Sequence, residues 1–114
     1  MTERMTGATT PSVEERALVF KAIGDPTRVR IIELLRGQSG EISGTEIAEH
    51  VGVSLALLCH HSSVVIEAGL VNKRKEGQTS YWTLNRDALA SALASLAVTE
   101  PPTGKSGSLF QTLP

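Results

Sequence analysis

Residues 43–70 read SGTEIAEHVGVSLALLCHHSSVVIEAGL, and the way this stretch divides decides the fold. Ser43 and Glu46 match a capping box, in which the two residues satisfy each other's free backbone donors. A short helix therefore opens there as TEIAEHV, with Ile47, Ala48 and Val51 apolar. Gly52-Val53-Ser54 breaks it, and Ser54 caps a second helix predicted from Leu55 to about Ala68, where Gly69 stops it. A short helix, a three-residue turn containing glycine and a second capped helix form a helix-turn-helix signature.

Downstream, LVNKRKEGQTSYWTLN (70–85) reads as two strands joined through Lys75-Glu76-Gly77-Gln78, with Tyr81, Trp82 and Thr83 supplying β-propensity. A basic hairpin directly behind a helix-turn-helix is a wing. Upstream, Val13, Ala17, Phe20 and Ile23 recur at helical spacing in VEERALVFKAI, and Gly24 can end that helix. Asp25-Pro26 starts another, since Asp is a favourable N-cap and Pro is preorganised at the first helical position. That helix puts Val29, Ile32 and Leu35 on one face. Glu41 and Ile42 suit a short strand. The last helix is predicted over Asp87–Val98, where Leu89, Leu93 and Leu96 form a stripe among Ala and Ser with almost no charge. A monomer gains little by exposing such a stripe, so a partner helix is its natural cover.

The expected fold is therefore mainly α with a small β-hairpin wing: a winged helix-turn-helix ordered helix, helix, strand, helix, helix, strand, strand, helix, and dimeric. Residues 1–11 read as a flexible tail, 12–98 as the DNA-binding and dimerisation domain, and 99–114, rich in Pro, Gly, Ser and Thr, as a second flexible tail. With 114 residues, 40% of them hydrophobic and only 4% aromatic, the chain suits one small helical domain. A single cysteine excludes an intrachain disulfide and points to a reducing cytoplasm. The opening MTERMTGATTP lacks the apolar run of a signal peptide, and no 18-residue apolar run suggests a membrane span.

The net charge of −1 is unevenly spread: −2 over residues 1–53, +2 over 54–86 and −1 over 87–114. Most of the positive balance is Lys73, Arg74 and Lys75 in the wing. There is no Gly-rich phosphate loop, the carboxylates are scattered, and Cys59 and His61 lie too close on one helix to pair as nucleophile and base. An enzyme is not expected.

Three stretches, KAIGDPTRVRIIELL (21–35), SLALLCHHSSVVIEAGLV (54–71) and RKEGQTSYWTL (74–84), resemble the ArsR/SmtB family of bacterial transcriptional repressors. With their connections they cover roughly residues 13–98. The resemblance implies a homodimer held mainly by the first and last helices, with Val13, Ala17, Phe20, Leu89, Leu93 and Leu96 as interface residues. It also implies repression at a palindromic double-stranded DNA operator, released by a metal ion or another small signal. A winged-helix dimer acting mainly through a protein partner or co-regulator is the alternative, as is a regulator responding through Cys59 to redox or metal.

On a helical wheel, Leu58, His61 or Ser62, and Val65 should face the core, leaving Ala56, Cys59, His60 and Ser63 for the major groove. Adding the helix start and the wing, the expected DNA contacts are Ser54, Ala56, Leu57, Cys59, His60, Ser63, Lys73, Arg74, Lys75 and Gln78. The reading helix carries no outward Arg or Asn, so part of the specificity is expected from half-site spacing and DNA shape.

Cys59-His60-His61 invites a metal reading. Consecutive helical residues point about 100° apart and cannot converge on one ion, and metal-binding helices use i, i+3 or i, i+4 pairs. His50, Cys59, His60 and His61 are thus only weak candidates, and no cofactor is expected. The family's usual cysteine or Asp/His ligand sets have no counterpart in the third helix, the last helix or the tail. Three departures from the family pattern stand out: Cys59 where Ser is common, Ser62 where Leu is usual, and Ile66 where a charge is usual. An unpaired buried hydroxyl at Ser62 would cost about 1–3 kcal/mol.

Overall fold

The computed structural model describes residues 11–98. The tails expected at 1–11 and 99–114 lie, Pro11 apart, outside the described residues. Five helices and three strands follow one another as α1 (Val13–Ala22), α2 (Pro26–Arg36), β1 (Ile42–Ser43), α3 (Gly44–Val51), α4 (Leu55–Glu67), β2 (Val71–Glu76), β3 (Thr79–Leu84) and α5 (Arg86–Ser95). This is the expected mainly α winged helix-turn-helix.

Side-chain caps set the helix starts. Ser43 Oγ accepts from the Glu46 amide at 3.2 Å while the Glu46 carboxylate accepts from the Ser43 amide, completing the capping box. Asp25 Oδ2 accepts from the Arg28 amide, Ser54 Oγ from Leu57 and Asn85 Oδ1 from Ala88. Each such cap is worth about 1 kcal/mol. A second capping box, Ser12 with Glu15, opens α1. The turn of the helix-turn-helix depends on Gly52, whose φ of 75° is left-handed and favours a residue without Cβ.

The sheet has the order β1-β3-β2, all antiparallel. Trp82 on the central strand lies opposite Ile42 on one side and Lys73 on the other. It is 1% exposed and packs in one core with Ile31, Leu35, Ile47, Leu58, Val65 and Leu70. The first residues of α5 are tied back to the end of α2, because the Arg86 guanidinium donates to the carbonyls of Arg36 and Gln38, both at 2.9 Å.

Several local expectations need adjusting. The last helix ends at Ser95, not Val98, its final amides of Leu96 and Ala97 bonding three residues back instead of four. Val29 was expected inward on α2 but is exposed, and Ile31 takes the core beside Ile32 and Leu35. Lys75 and Glu76 belong to β2, so only Gly77 and Gln78 connect the strands. On α1 the inward side is Val19 and Ala22, with Val13, Ala17 and Leu18 exposed.

Candidate nucleic-acid interface

Helix α4 divides sharply. Leu58, His61, Ser62 and Val65 are buried, whereas Ser54, Ala56, Leu57, Cys59, His60 and Ser63 are exposed, as the helical wheel anticipates. The exposed hydroxyls differ in what they can offer. Ser63 Oγ donates to the Cys59 carbonyl at 3.3 Å, which leaves its lone pairs to accept. Ser54 Oγ accepts from Leu57 at the helix start, so its hydroxyl proton is available to a phosphate oxygen. Ile66, 37% exposed, is an outward apolar spot on the same helix.

The buried side of α4 is anchored by a polar contact that sequence reading missed. His61 Nδ1 lies 3.0 Å from the Arg28 guanidinium, and Arg28 Nε donates to the Ala22 carbonyl at 2.6 Å. Asp25 Oδ2 stands 3.9 Å from the same ring nitrogen. Since guanidinium is donor-only, Nδ1 must accept and the neutral ring carries its proton on Nε2. Burial pushes the His61 pKa below its ordinary value, with the Arg28 and His60 charges adding to this and Asp25 opposing it. The backbone amide of Arg28, above all, holds the Asp25 carboxyl below the usual carboxylate range. One node thereby joins the end of α1, the start of α2 and the buried side of α4.

The wing's basic run is not one patch. Strand alternation sends Lys73 and Lys75 to one face of β2 and Arg74 to the other. Lys73 Nζ lies 3.5 Å from Ser62 Oγ and 6.0 Å from the Trp82 ring centre. The buried Ser62 hydroxyl is therefore not left unpaired. Arg74 meets Glu41 through two parallel bonds of 2.9 and 2.8 Å, meets Glu76 at 2.8 Å and lies 4.9 Å from the Tyr81 ring centre. Its pKa is raised by Glu41 and then Glu76, and Arg74 in turn holds Glu41 below the usual carboxylate range. Lys75 and Gln78 are exposed. Glu76 falls on the Arg74 face by simple alternation and was detectable in the sequence. Glu41, 33 residues away, was not.

Among the described residues no three His, Cys, Asp or Glu side chains come together as a metal set. His50 is exposed on α3, Cys59 and His60 are exposed on α4, and the His60 and His61 rings are 5.4 Å apart at 64°. The His61 nitrogen facing Arg28 is taken, and the adjacent cation disfavours a metal ion. These four side chains do not fit a resident metal within one chain.

The apolar stripe expected at a dimer interface lies on α1 and α5, which pack side by side. Val13, Ala17, Leu93 and Leu96 are exposed, and Phe20 and Leu89 are half-buried against the core. No described helix is long and apolar enough to cross a membrane.

Residues 25–73, spanning α2 through α4 to the start of the wing, match the family model described as "Bacterial regulatory protein, arsR family". Over 75 residues the chain is 37% identical to the transcriptional repressor SdpR of Bacillus subtilis (strain 168), an overlap of 66% of this chain and 81% of that protein. The chain belongs to the ArsR family. It is a transcriptional regulator with a winged helix-turn-helix DNA-binding domain, and not an enzyme. A second ArsR-type relative, the arsenical resistance operon repressor of Staphylococcus xylosus, is 32% identical over 78 residues, covering 68% of this chain and 73% of that one. Among solved structures, the homodimeric winged helix-turn-helix domain of Mb0332 from Mycobacterium bovis superposes with a TM-score of 0.62 at 26% identity, covering 84% of this chain and 85% of that one.

Proposed function

We propose that this ArsR-family protein is a transcriptional repressor that binds a palindromic operator as a homodimer, with α4 in the major groove and the β2–β3 wing against the neighbouring backbone. The observation that carries this reading is the division of α4: one side is locked into the core through Leu58, His61 and Val65, and the other is solvent-exposed, with the small Ser54, Ala56, Cys59 and Ser63 set among the larger Leu55, Leu57, His60 and Ile66. Ser54, Ala56, Leu57, Cys59, His60 and Ser63 are the groove contacts. Lys73, Arg74, Lys75 and Gln78 are the wing contacts, with Arg74 partly neutralised by its carboxylates. Phosphate contacts fix register, and the small polar side chains of α4 read base edges.

The homodimeric state of Mb0332 supports two copies here as well. Val13, Ala17, Phe20, Leu89, Leu93 and Leu96 supply the apolar surface for that pairing, and two α4 helices must then reach major grooves one turn, about 34 Å, apart. The test is fluorescence anisotropy of the purified protein on a duplex from upstream of its own coding region, with light scattering for mass. Dimeric protein that binds this duplex well above a scrambled one is the expected result. A strict monomer, or equal binding to both duplexes, refutes the proposal.

A redox-responsive repressor is a second reading, favoured by the exposure of the Cys59 thiol in the middle of the contact face. Equal operator binding by wild type and Cys59→Ser, with and without peroxide, refutes it.

A further inference from the structure

Between the first turn of α3, the inward edge of α4 and the two wing strands lies a cavity of about 140 Å³. Its wall includes Gly44, Ser62, Lys73, Ser80 and Trp82, with Cys59 at its α4 side. Two features separate it from an ordinary packing gap. Trp82 is 1% exposed, yet its indole Nε1–H, a donor with no acceptor capacity, has no hydrogen-bond partner among the described residues. Lys73 brings an ammonium to the same wall, where among the described residues it meets only the Ser62 hydroxyl, at 3.5 Å, and the face of the Trp82 ring. Because Ser62 Oγ accepts from Lys73, its own proton is left to donate. No carboxylate lines the cavity.

Residue 44 keeps the space open. A Cβ there would stand 3.1 Å from Ser80 Oγ and 3.6 Å from Trp82 Nε1. Besides apolar Leu55 and Leu58, the lining offers Thr45, Ser62, Gln78, Thr79 and Ser80, which can donate or accept, and it leaves one cation and one buried N–H over. With the Lys73 ammonium on the wall and no carboxylate to neutralise it, charge-assisted hydrogen bonds favour an oxyanion there. The cavity lies away from α1 and α5, so pairing of two copies through those helices leaves it accessible.

We propose that this cavity is a phosphate-sized oxyanion site, held by Lys73 and the Ser62 and Ser80 hydroxyls and reported by the Trp82 indole N–H. The phosphate comes either from free solution or from a DNA backbone. Only the second source rests on the DNA-binding reading above. In it, Lys73 serves as a seat for one defined phosphate, set by α3 and α4, and not as a diffuse charge.

The chain has one tryptophan, so its single indole N–H resonance reads this site directly by NMR. Inorganic phosphate is titrated into the full-length protein against potassium chloride at matched ionic strength, and a 30-base-pair duplex of arbitrary sequence is titrated separately in phosphate-free buffer. A saturable downfield shift with phosphate, absent with chloride, establishes the site and free phosphate as a ligand. A shift with the duplex alone assigns the phosphate to the DNA backbone.

Lys73→Gln should weaken either response about tenfold or more. Gly44→Ala, which narrows the cavity beside Ser80 and the Trp82 indole but leaves the wing charge intact, should weaken it too, while Lys21→Gln on α1 should not. Melting curves confirm that each variant folds. A phosphate response without duplex binding upholds the site and counts against the DNA-binding reading alone. No indole response to either probe, or a response that survives both Lys73→Gln and Gly44→Ala, overturns the proposal.

Discussion

Glu41→Gln should make the protein bind DNA more tightly at low salt and with a steeper salt dependence. In the free protein the Arg74 guanidinium is occupied by Glu41 through two bonds and by Glu76 through a third. An arginine so neutralised releases few counterions when it meets a phosphate, because the carboxylates must first let go. Replacing Glu41 with its neutral amide removes the charge of the stronger, bidentate partner and leaves the cation held by Glu76 alone. Each phosphate neutralised on B-DNA adds about 0.9 to the slope of log affinity against log salt. A homodimer carries the substitution twice, so the slope should steepen by up to about 1.8. Between 50 and 200 mM salt that corresponds to an additional loss of affinity of about 12-fold relative to wild type.

The complementary variants complete the argument. Lys75→Ala should flatten the slope by about 1.8 per dimer, since nothing among the described residues pairs with Lys75. Arg74→Ala in the wild-type background should flatten it by clearly less. The assay is anisotropy on one duplex across a salt series, at fixed pH and protein concentration. Wild-type slopes in Glu41→Gln together with a full loss in Arg74→Ala would show that Arg74 already spends its charge on DNA, and the reasoning would be wrong.

Three further outcomes are expected. Arg28→Ala removes two hydrogen bonds and strands the Ala22 carbonyl and the His61 ring nitrogen, so stability should drop by about 2–4 kcal/mol, with Tm falling by about 10–25 °C in thermal denaturation; a shift under about 3 °C would contradict the node. His61 titrates below its unfolded value, so its contribution to stability is fully present above about pH 6.5 and is lost as pH falls toward the folded pKa; His61→Gln, a neutral acceptor, should flatten denaturant-derived stability over that window, and an unchanged slope would argue against a buried neutral ring. Leu93→Glu, at a side chain 49% exposed on α5, should leave the subunit folded by circular dichroism but shift light-scattering mass toward monomer, and an unaltered mass would move the interface elsewhere.

What the chain discloses before folding is set by how far each physical rule reaches. Caps act over three residues, helix faces over four and strand faces over two. Accordingly Ser43 with Glu46, Asp25-Pro26, the Ser54 cap and the inward Leu58, His61 and Val65 of α4 all follow from local order, and so does the winged helix-turn-helix. The same rules divide Lys73 and Lys75 from Arg74, because alternation along a strand acts on a basic run as it does on hydrophobic residues. Val29 shows the limit from the other side. Helical periodicity nominates it equally with Ile31, and only the placement of α3, α4 and the sheet around α2 chooses between them.

The two polar contacts that define the interface's electrostatics both lie beyond any local rule. Arg28 reaches His61 and Arg74 reaches Glu41 across 33 residues in each case. Each depends on packing that brings a side chain of ordinary sequence context against a partner from another element. Composition carries no trace of them, since a net charge of −1 is the same whether Arg74 is free or paired. Yet they decide what the exposed surface can do. The Arg28 contact fixes which face of α4 is withdrawn into the core, and the Glu41 contact subtracts one cation from the wing. A count of basic residues near a helix-turn-helix therefore overstates its attraction for DNA, and the usable charge here is Lys73 and Lys75 on one side of a single strand.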